Sequence, residues 1–250
     1  MVKKLILLLA IISVLGCDSE DAWDCVQLEG DIIQREVEVE GFKKIQVWER
    51  VKLIVSQGNT QKVVVETGEN LIDEVNVRVE DSILYLTDRN SCNHVRDYGI
   101  TKVYVTSPNL VEIRNSSGQT VESRGVLKYF RLALLSEDPN NLDVYHFDGD
   151  FDLDVQSAQL KVRSNGISKF YLRGTCGFAN FQLYDGDARI EAGDLIAQSV
   201  YVFHRSTNKI IINPVNSIYG EIRSVGDVIS RNRPPIVEVE ELYTGRLIFE

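Results

Sequence analysis

The chain has 250 residues, enough to bury one sizeable core or two small ones. Hydrophobic residues make up 44% and charged residues 26%, which are ordinary values for a globular protein and exclude wholesale disorder. The formal net charge is −10, whereas proteins that bind the phosphates of nucleic acids present a basic surface. The composition therefore excludes nucleic acid as a partner.

The N-terminus has the pattern of an export signal. Lys3 and Lys4 precede an apolar run over residues 5–15, which is too short to span a membrane as a helix but has the length of a signal-peptide core. The run leads to Gly16 and Cys17, which resemble the lipobox where bacterial lipoproteins are cleaved and acylated. We predict a lipoprotein signal peptide over residues 1–16 and lipidation of Cys17 with acyl chains such as palmitate. The alternative is an ordinary signal peptide with an incidental cysteine.

Residues 17–29 are predicted to form the lipid anchor and a tether. Their acidic start, Asp-Ser-Glu-Asp at 18–21, resembles the surface-export signal of Bacteroidetes lipoproteins and equally fits a short solvated linker. The chain is thus expected in the cell envelope, as an outer-membrane lipoprotein with the membrane as one partner. Exposure at the cell surface remains one of two alternatives.

The other three cysteines are Cys25, Cys92 and Cys176. Export to an oxidising compartment permits a disulfide, and Cys25 and Cys92 each lie beside polar residues typical of loops. We predict that these two form a disulfide and that Cys176 is a buried free thiol. The cysteine spacing matches no zinc or redox motif.

Residues 30–250 are predicted to form one all-β domain. Apolar residues alternate with polar ones from the first segment onward, as in Val37 and Val39, which is typical of strands with one buried face. Short turn signals separate the segments in the N-terminal part, so antiparallel hairpins are expected there. The only helical candidate is a single turn over residues 70–74.

Beyond Pro108 the pattern becomes repetitive. Turn-like clusters such as 164–166, 185–187 and 206–208 recur about every 20 residues, the length of one β-solenoid coil. Short strands are predicted between them, including one over residues 142–144. A β-sandwich also has short strands and is the structural alternative, but the regular spacing favours a solenoid whose coils bury their inward side chains by stacking.

A family resemblance rests on structural motifs. They are Phe42–Val47, Val55–Gly58 and Gly68–Leu71, then Ser91–Arg96, Lys102–Val105, Gly226–Val228 and Pro234–Pro235. Residues 30–250 resemble the Bacteroidetes family named "putative auto-transporter adhesin, head GIN domain". The resemblance implies a right-handed parallel β-helix and a role in adhesion. Residues 136–141 look like an inserted loop that departs from the family pattern.

No catalytic constellation can be identified. The three histidines, His94, His146 and His204, match no metal-binding motif and are expected to be isolated surface or strand-end residues. Serine lacks a nucleophile elbow, and no basic residue adjoins Cys176 to activate it. We therefore predict no catalytic residue, no metal ligand and no cofactor.

One acidic row offers a candidate ligand or calcium face. Asp148, Asp150, Asp152 and Asp154 alternate with Gly149, Phe151 and Leu153, so a strand would project the carboxylates from one face about 7 Å apart. The alternatives are a calcium-dependent site, as in polysaccharide lyases with Lys161 or Arg163 nearby, and a plain solvated face. In this register Phe147, Phe151, Leu153 and Val155 are expected in the interior, because the other register would bury the carboxylates.

Tyrosines recur at about one per repeat. If exposed they would form a stacking platform for sugar rings or a protein, but their differing phases favour packing in the core. They are Tyr129, Tyr145, Tyr171, Tyr184, Tyr201 and Tyr219.

Together these features predict a cell-envelope lipoprotein that acts as a non-catalytic binding or adhesion module. The expected partner is an extracellular glycan or protein. The alternatives are a calcium-dependent carbohydrate-active enzyme that uses the acidic row, and a purely structural envelope lipoprotein.

Overall fold

The computed structural model describes residues 27–90, 99–140 and 143–250. The predicted all-β class is confirmed: 17 strands form one mixed sheet, accompanied by a short 3-10 helix at Ile72–Glu74 within the predicted helical turn. In the described part of the chain, no helix is long and apolar enough to cross a membrane.

The strands are numbered in the order in which they follow one another along the chain. They are β1 (Ile32–Val37), β2 (Lys44–Trp48), β3 (Lys52–Gln57), β4 (Lys62–Gly68), β5 (Val75–Glu80), β6 (Ile83–Asp88), β7 (Lys102–Ser107), β8 (Glu112–Ser116), β9 (Val121–Ser123), β10 (Arg131–Ser136), β11 (Phe151–Ser164), β12 (Lys169–Leu183), β13 (Arg189–His204), β14 (Ile210–Ile222), β15 (Val228–Ser230), β16 (Ile236–Glu241) and β17 (Leu247–Phe249).

The antiparallel pairs of the described chain all lie in its N-terminal part. They join β1 to β4, β4 to β7 and β5 to β6. The last pair is a hairpin in which Asp81 and Ser82 adopt positive φ angles of 50° and 62°, the turn geometry that suits the twist of paired strands. The antiparallel N-terminal part expected from its turn signals is therefore present.

The strands from β10 onward pair in parallel, each with its counterpart one repeat later. Phe151 lies beside Phe170, which lies beside Ile190, followed by Ile210 and Val228. Successive partners are thus 18 to 20 residues apart, in agreement with the spacing of the turn clusters. The same side chains form continuous buried columns, and the rings of Phe151 and Phe170 stack with centroids 5.0 Å apart.

Each long strand changes its inward face half-way along. In β11 the buried residues are Phe151, Leu153 and Val155, and then Leu160 and Val162, so burial passes from odd to even positions. Residues 156–159 between them are all at least partly exposed. The sheet therefore has a corner at this point, and both halves of the strand face the same core.

The segment over residues 143–150 departs from two expectations. The predicted strand at 142–144 is wrong in its described part, because residues 143–150 form no strand and the Val144 N–H is bonded to the Asp138 side chain instead. Phe147 is 38% exposed rather than interior. The alternation that buries Phe151 begins only where β11 begins, so it does not extend back to Phe147.

His204 is fully buried at the end of β13, between Leu183 and Ile222 in neighbouring strands. Its place at a strand end agrees with the sequence, but a surface position does not. Burial lowers the pKa of His204 from 6.5 to about 4, because the charged imidazolium would lose its hydration in the apolar interior.

We expect the free energy of unfolding to fall as the pH drops from 6.5 to about 4. In that window the unfolded chain protonates His204 while the folded chain does not, so protons favour unfolding by at most about 1.4 kcal/mol per pH unit. Denaturant unfolding across this range should show a shallower pH dependence for His204→Leu. The exposed His146 supplies the control: His146→Gln should keep the wild-type slope, and an unchanged slope in His204→Leu would contradict the assignment.

Candidate binding surface

The acidic row is divided between two environments. Asp148 is exposed, and Asp150 precedes β11, where its carboxylate accepts a bond of 2.7 Å from the backbone N–H of Lys169. Burial raises the pKa of Asp150. Asp152 and Asp154 project outward from β11, opposite the buried Phe151, Leu153 and Val155, as the alternation predicts.

Asp152 and Asp154 both bind one guanidinium group. Arg173, in the adjacent position of β12, lies 2.6 Å from Asp152 and 2.9 Å from Asp154. These ion pairs neutralise half of the row and hold the two carboxylates where a cation would otherwise lie. Over the three described segments, no group of three or more His, Cys, Asp or Glu side chains could hold a metal ion.

The cysteine predictions fall in different parts of the chain. Cys176 is a free, buried thiol as expected, and burial raises its pKa, so the unreactive protonated form is favoured. Cys17, Cys25 and Cys92 lie outside the described residues, as does His94. Their predicted lipidation and disulfide remain predictions.

Most of the repeated tyrosines lie outside the core. Only Tyr129 of the six is buried; its hydroxyl donates a hydrogen bond to the Ser107 carbonyl. Tyr171 is exposed, and the other four are half-buried. The expectation of core packing is therefore wrong for these five, because their positions alternate with the buried residues of their strands or lie in turns and loops.

The corner of the sheet contains an open groove of about 680 Å³, here called the corner groove. Its lining includes the side chains of Phe130 and Ile196, which are 69% and 47% exposed. Polar side chains of Lys128, Gln156 and Gln198 also line it. The groove thus combines protruding apolar groups with hydrogen-bonding groups, the mixture found in ligand sites.

Small residues keep the corner groove open. Ser157 and Ala158 of β11 and Gly177 of β12 line it with little bulk. A Cβ atom on Gly177 would lie 2.7 Å from the Ala158 carbonyl oxygen, so only glycine allows the two strands to approach this closely at the corner.

The segment before β10 holds Phe130 at the rim of the groove. The backbone carbonyl of Phe130 accepts bonds of 3.1 Å from the N–H groups of Ala158 and Gln159, while Tyr129 beside it is buried. The Lys128 N–H donates to the Gln57 side chain at 2.6 Å. These contacts fix the backbone, so the ring of Phe130 is presented to solvent with little freedom to withdraw.

A second groove of about 410 Å³, here called the lateral groove, adjoins the first on the outer face of β10, β11 and β12. Three pairs of consecutive residues are divided between the two grooves: Phe130 and Arg131, Ala158 and Gln159, and Gly177 and Phe178. The two grooves therefore form one surface that runs from the corner onto the flat part of the sheet.

The lateral groove differs from the corner groove in charge. Arg131 and Lys161 line it together with Phe178 and Asn180, and no carboxylate does. By register Asn180 lies beside Tyr201, so the aromatic surface continues into the next repeat. Sequence reasoning named Lys161 only as a possible catalytic base and missed the others, because the corner inverts the alternation and no periodicity shows which side chains meet there.

Comparison with known proteins identifies the family. The sequence model of the family described as "putative auto-transporter adhesin, head GIN domain" matches residues 41–234. The chain belongs to this family. The resemblance drawn from the sequence motifs is thereby confirmed, and no curated protein matches the chain.

Solved structures share the fold with this head GIN chain. A protein described as a putative adhesin from Bacteroides fragilis NCTC 9343 has a TM-score of 0.77 at 23% identity, covering 89% of this chain and 99% of its own. One with the same description from Parabacteroides distasonis ATCC 8503 has a TM-score of 0.64 at 12% identity, with coverage of 88% and 98%.

A third similar structure, also from Parabacteroides distasonis ATCC 8503, is described as a putative lipid binding protein. Its TM-score is 0.60 at 16% identity, and the coverage is 88% of this chain and 97% of that one. At these identities the likeness concerns the fold alone.

We expect calcium to leave the melting temperature unchanged, since Arg173 already binds two carboxylates of the row. Replacing all four aspartates with asparagine should preserve folding and cost less than about 1 kcal/mol per lost ion pair, because the pairs are solvent-exposed. Thermal melts of both proteins with calcium and with a chelator test this. A calcium-dependent rise in the wild type that the asparagine variant loses would identify the row as a metal site.

Proposed function

We propose that this chain is a cell-envelope lipoprotein that acts as a non-catalytic binding module for an extracellular glycan or protein. The corner groove is the observation that carries this proposal. It presents a rigidly held aromatic ring and neutral polar groups on an open surface, which suits recognition of an extended partner. Membership of a family described as adhesin heads supports the same role.

The architecture assigned to this module is a right-handed parallel β-helix in its C-terminal part. Parallel pairing with a partner 18 to 20 residues further along, through β11 to β15, supports a chain that winds by one coil per repeat. The handedness follows from the strong preference of parallel crossover connections for the right-handed form. Stacked coils would align outward side chains into the long face on which both grooves lie.

The anchoring part of the proposal rests on the N-terminal sequence. Cleavage after residue 16 would leave Cys17 as the acylated first residue, and residues 17–29 would tether the module at the outer membrane. A Cys25–Cys92 disulfide would then tie the tether to the module. An adhesion role requires such a position at the envelope, because the partner lies outside the cell.

Cys17→Ser should abolish lipidation, leaving the precursor uncleaved or releasing the protein from membranes. Fractionation of cells that express the full chain, together with mass spectrometry of the N-terminus, measures both effects. Cys176→Ser is the matched control, since its thiol is buried and free, and it should fractionate like the wild type. A Cys17→Ser protein that is still processed and retained in membranes would show that the anchor is assigned wrongly.

Phe130→Ala combined with Ile196→Ala should weaken partner binding about tenfold or more, because exposed aromatic anchors dominate binding energies. The full chain, purified in detergent, would be applied to an array of neutral and acidic polysaccharides, phospholipids and extracellular proteins. The control is Ile167→Ala, whose side chain is 57% exposed in a turn away from the corner. Its binding should equal that of the wild type.

Other results would support other functions. Binding to phospholipids alone, lost in the Phe130 and Ile196 variant, would favour lipid recognition, the property for which one similar structure is described. Cleavage of a polysaccharide in the presence of calcium would favour the enzyme alternative. A wild type that binds nothing, but whose deletion weakens the envelope, would favour the structural alternative.

A further inference from the structure

The lateral groove concentrates uncompensated positive charge on an acidic protein. The chain has a net charge of −10, yet Arg131 and Lys161 line this groove without any carboxylate beside them in its lining. Within the described residues, neither cation has an ion-pair partner. The groove is therefore a local site of attraction for anions on a surface that otherwise repels them.

The carboxylates nearest in register are already engaged. Glu112, beside Ala133 in the strand order, forms an ion pair with Lys44 at 3.8 Å. Glu137 is 2% exposed and lies between two arginines, Arg114 at 3.9 Å and Arg163 at 3.3 Å. Neither carboxylate is positioned to neutralise the groove, so its charge is available to a ligand.

The register sets the spacing of the two cations. Arg131 pairs with Gln159 on the adjacent strand, and Lys161 is two residues further along that strand. With strands about 4.8 Å apart and about 3.3 Å per residue, their Cα atoms are separated by roughly 8 Å. An anionic group between the two side chains would contact both and would relieve their mutual repulsion.

The rest of the lining favours a polyhydroxylated ligand with ring faces. Phe178 is 37% exposed and offers an apolar ring beside the cations. The side-chain oxygen of Asn180 has no hydrogen-bond partner among the described residues, so it can accept a bond from a hydroxyl group. Sugar rings have apolar C–H faces edged by hydroxyls, which match an aromatic ring beside an amide.

The other anionic ligands fit less well. An acidic peptide that binds by strand addition needs an open sheet edge, but β10, β11 and β12 are paired on both sides. A fatty acid needs an enclosed apolar cavity for its chain, whereas this groove lies on the outer face of a sheet and is lined by Arg131, Gln159, Lys161 and Asn180.

We propose that the lateral groove binds an acidic polysaccharide, which narrows the partner class of the function proposed above and rests on it. A carboxylate of the polymer lies between Arg131 and Lys161, and a neighbouring sugar ring packs on Phe178. The polymer continues across the outer face, along which Tyr201 and Tyr219 follow Asn180 in register.

Polygalacturonate and its carboxyl-reduced form, which differ only in the acidic group, test this proposal. The full chain in detergent should bind polygalacturonate, and salt should weaken the binding. Arg131→Gln combined with Lys161→Gln should reduce the affinity about tenfold or more, while Arg131→Lys combined with Lys161→Arg should retain most of it. The matched control, Lys43→Gln combined with Arg205→Gln, removes the same charge from exposed positions away from the groove and should bind like the wild type.

Several results would overturn the proposal. Equal binding of the carboxyl-reduced polymer would show that the acidic group is not recognised, and equal loss in the control variant would show an effect of net charge only. Polyglutamate binding with the same dependence on Arg131 and Lys161 would point to an acidic protein instead. If polygalacturonate fails to bind while array binding still requires Phe130, this inference falls and the proposed function stands; if the chain binds nothing in either assay, both fall.

Discussion

The structure depends on the stacking of equivalent inward side chains from one repeat to the next. A single repeat exposes its inward residues on both sides, and it buries them only when the preceding and following repeats cover them. The parallel register that places Phe151 on Phe170 and then Ile190 satisfies this requirement together with the backbone hydrogen bonds. Each repeat is consequently stable only as part of the series, and its length is held between narrow limits.

The same register organises the outer surface. Side chains that alternate with the buried columns are carried into outward columns, so residues far apart in sequence become neighbours, as Arg131, Gln159 and Phe178 do. A ligand of repeating chemistry can then meet a surface of repeating spacing. Where the inward face changes at the corner, the outward columns are interrupted, and the corner groove is formed. The binding surface is thus a consequence of the way the core is filled.

Charge on this surface follows its partners and not the composition. The acidic row at the start of β11 has the sequence of a cation site, yet Arg173 from the next strand binds two of its carboxylates. Conversely, the lateral groove is cationic on an acidic chain because its neighbouring carboxylates bind other cations. A buried carboxylate such as Glu137 is retained where arginines surround it, since its desolvation must be offset by close opposite charge. Net charge alone therefore misrepresents the partner that this face can attract.

The sequence by itself determined the all-β class, the antiparallel N-terminal part, the repeat length and the burial of Phe151, Leu153, Val155 and Cys176. These follow from local alternation and turn chemistry, which depend on residues close together in the chain. Only the tertiary structure decided that Phe147 and most of the repeated tyrosines lie outside the core, that His204 lies within it, and that Phe130 stands beside a groove. Each of these depends on where a strand begins or where its inward face inverts, and on which residues the neighbouring repeats place alongside. That information lies in contacts about 20 residues or more apart, so no local pattern contains it.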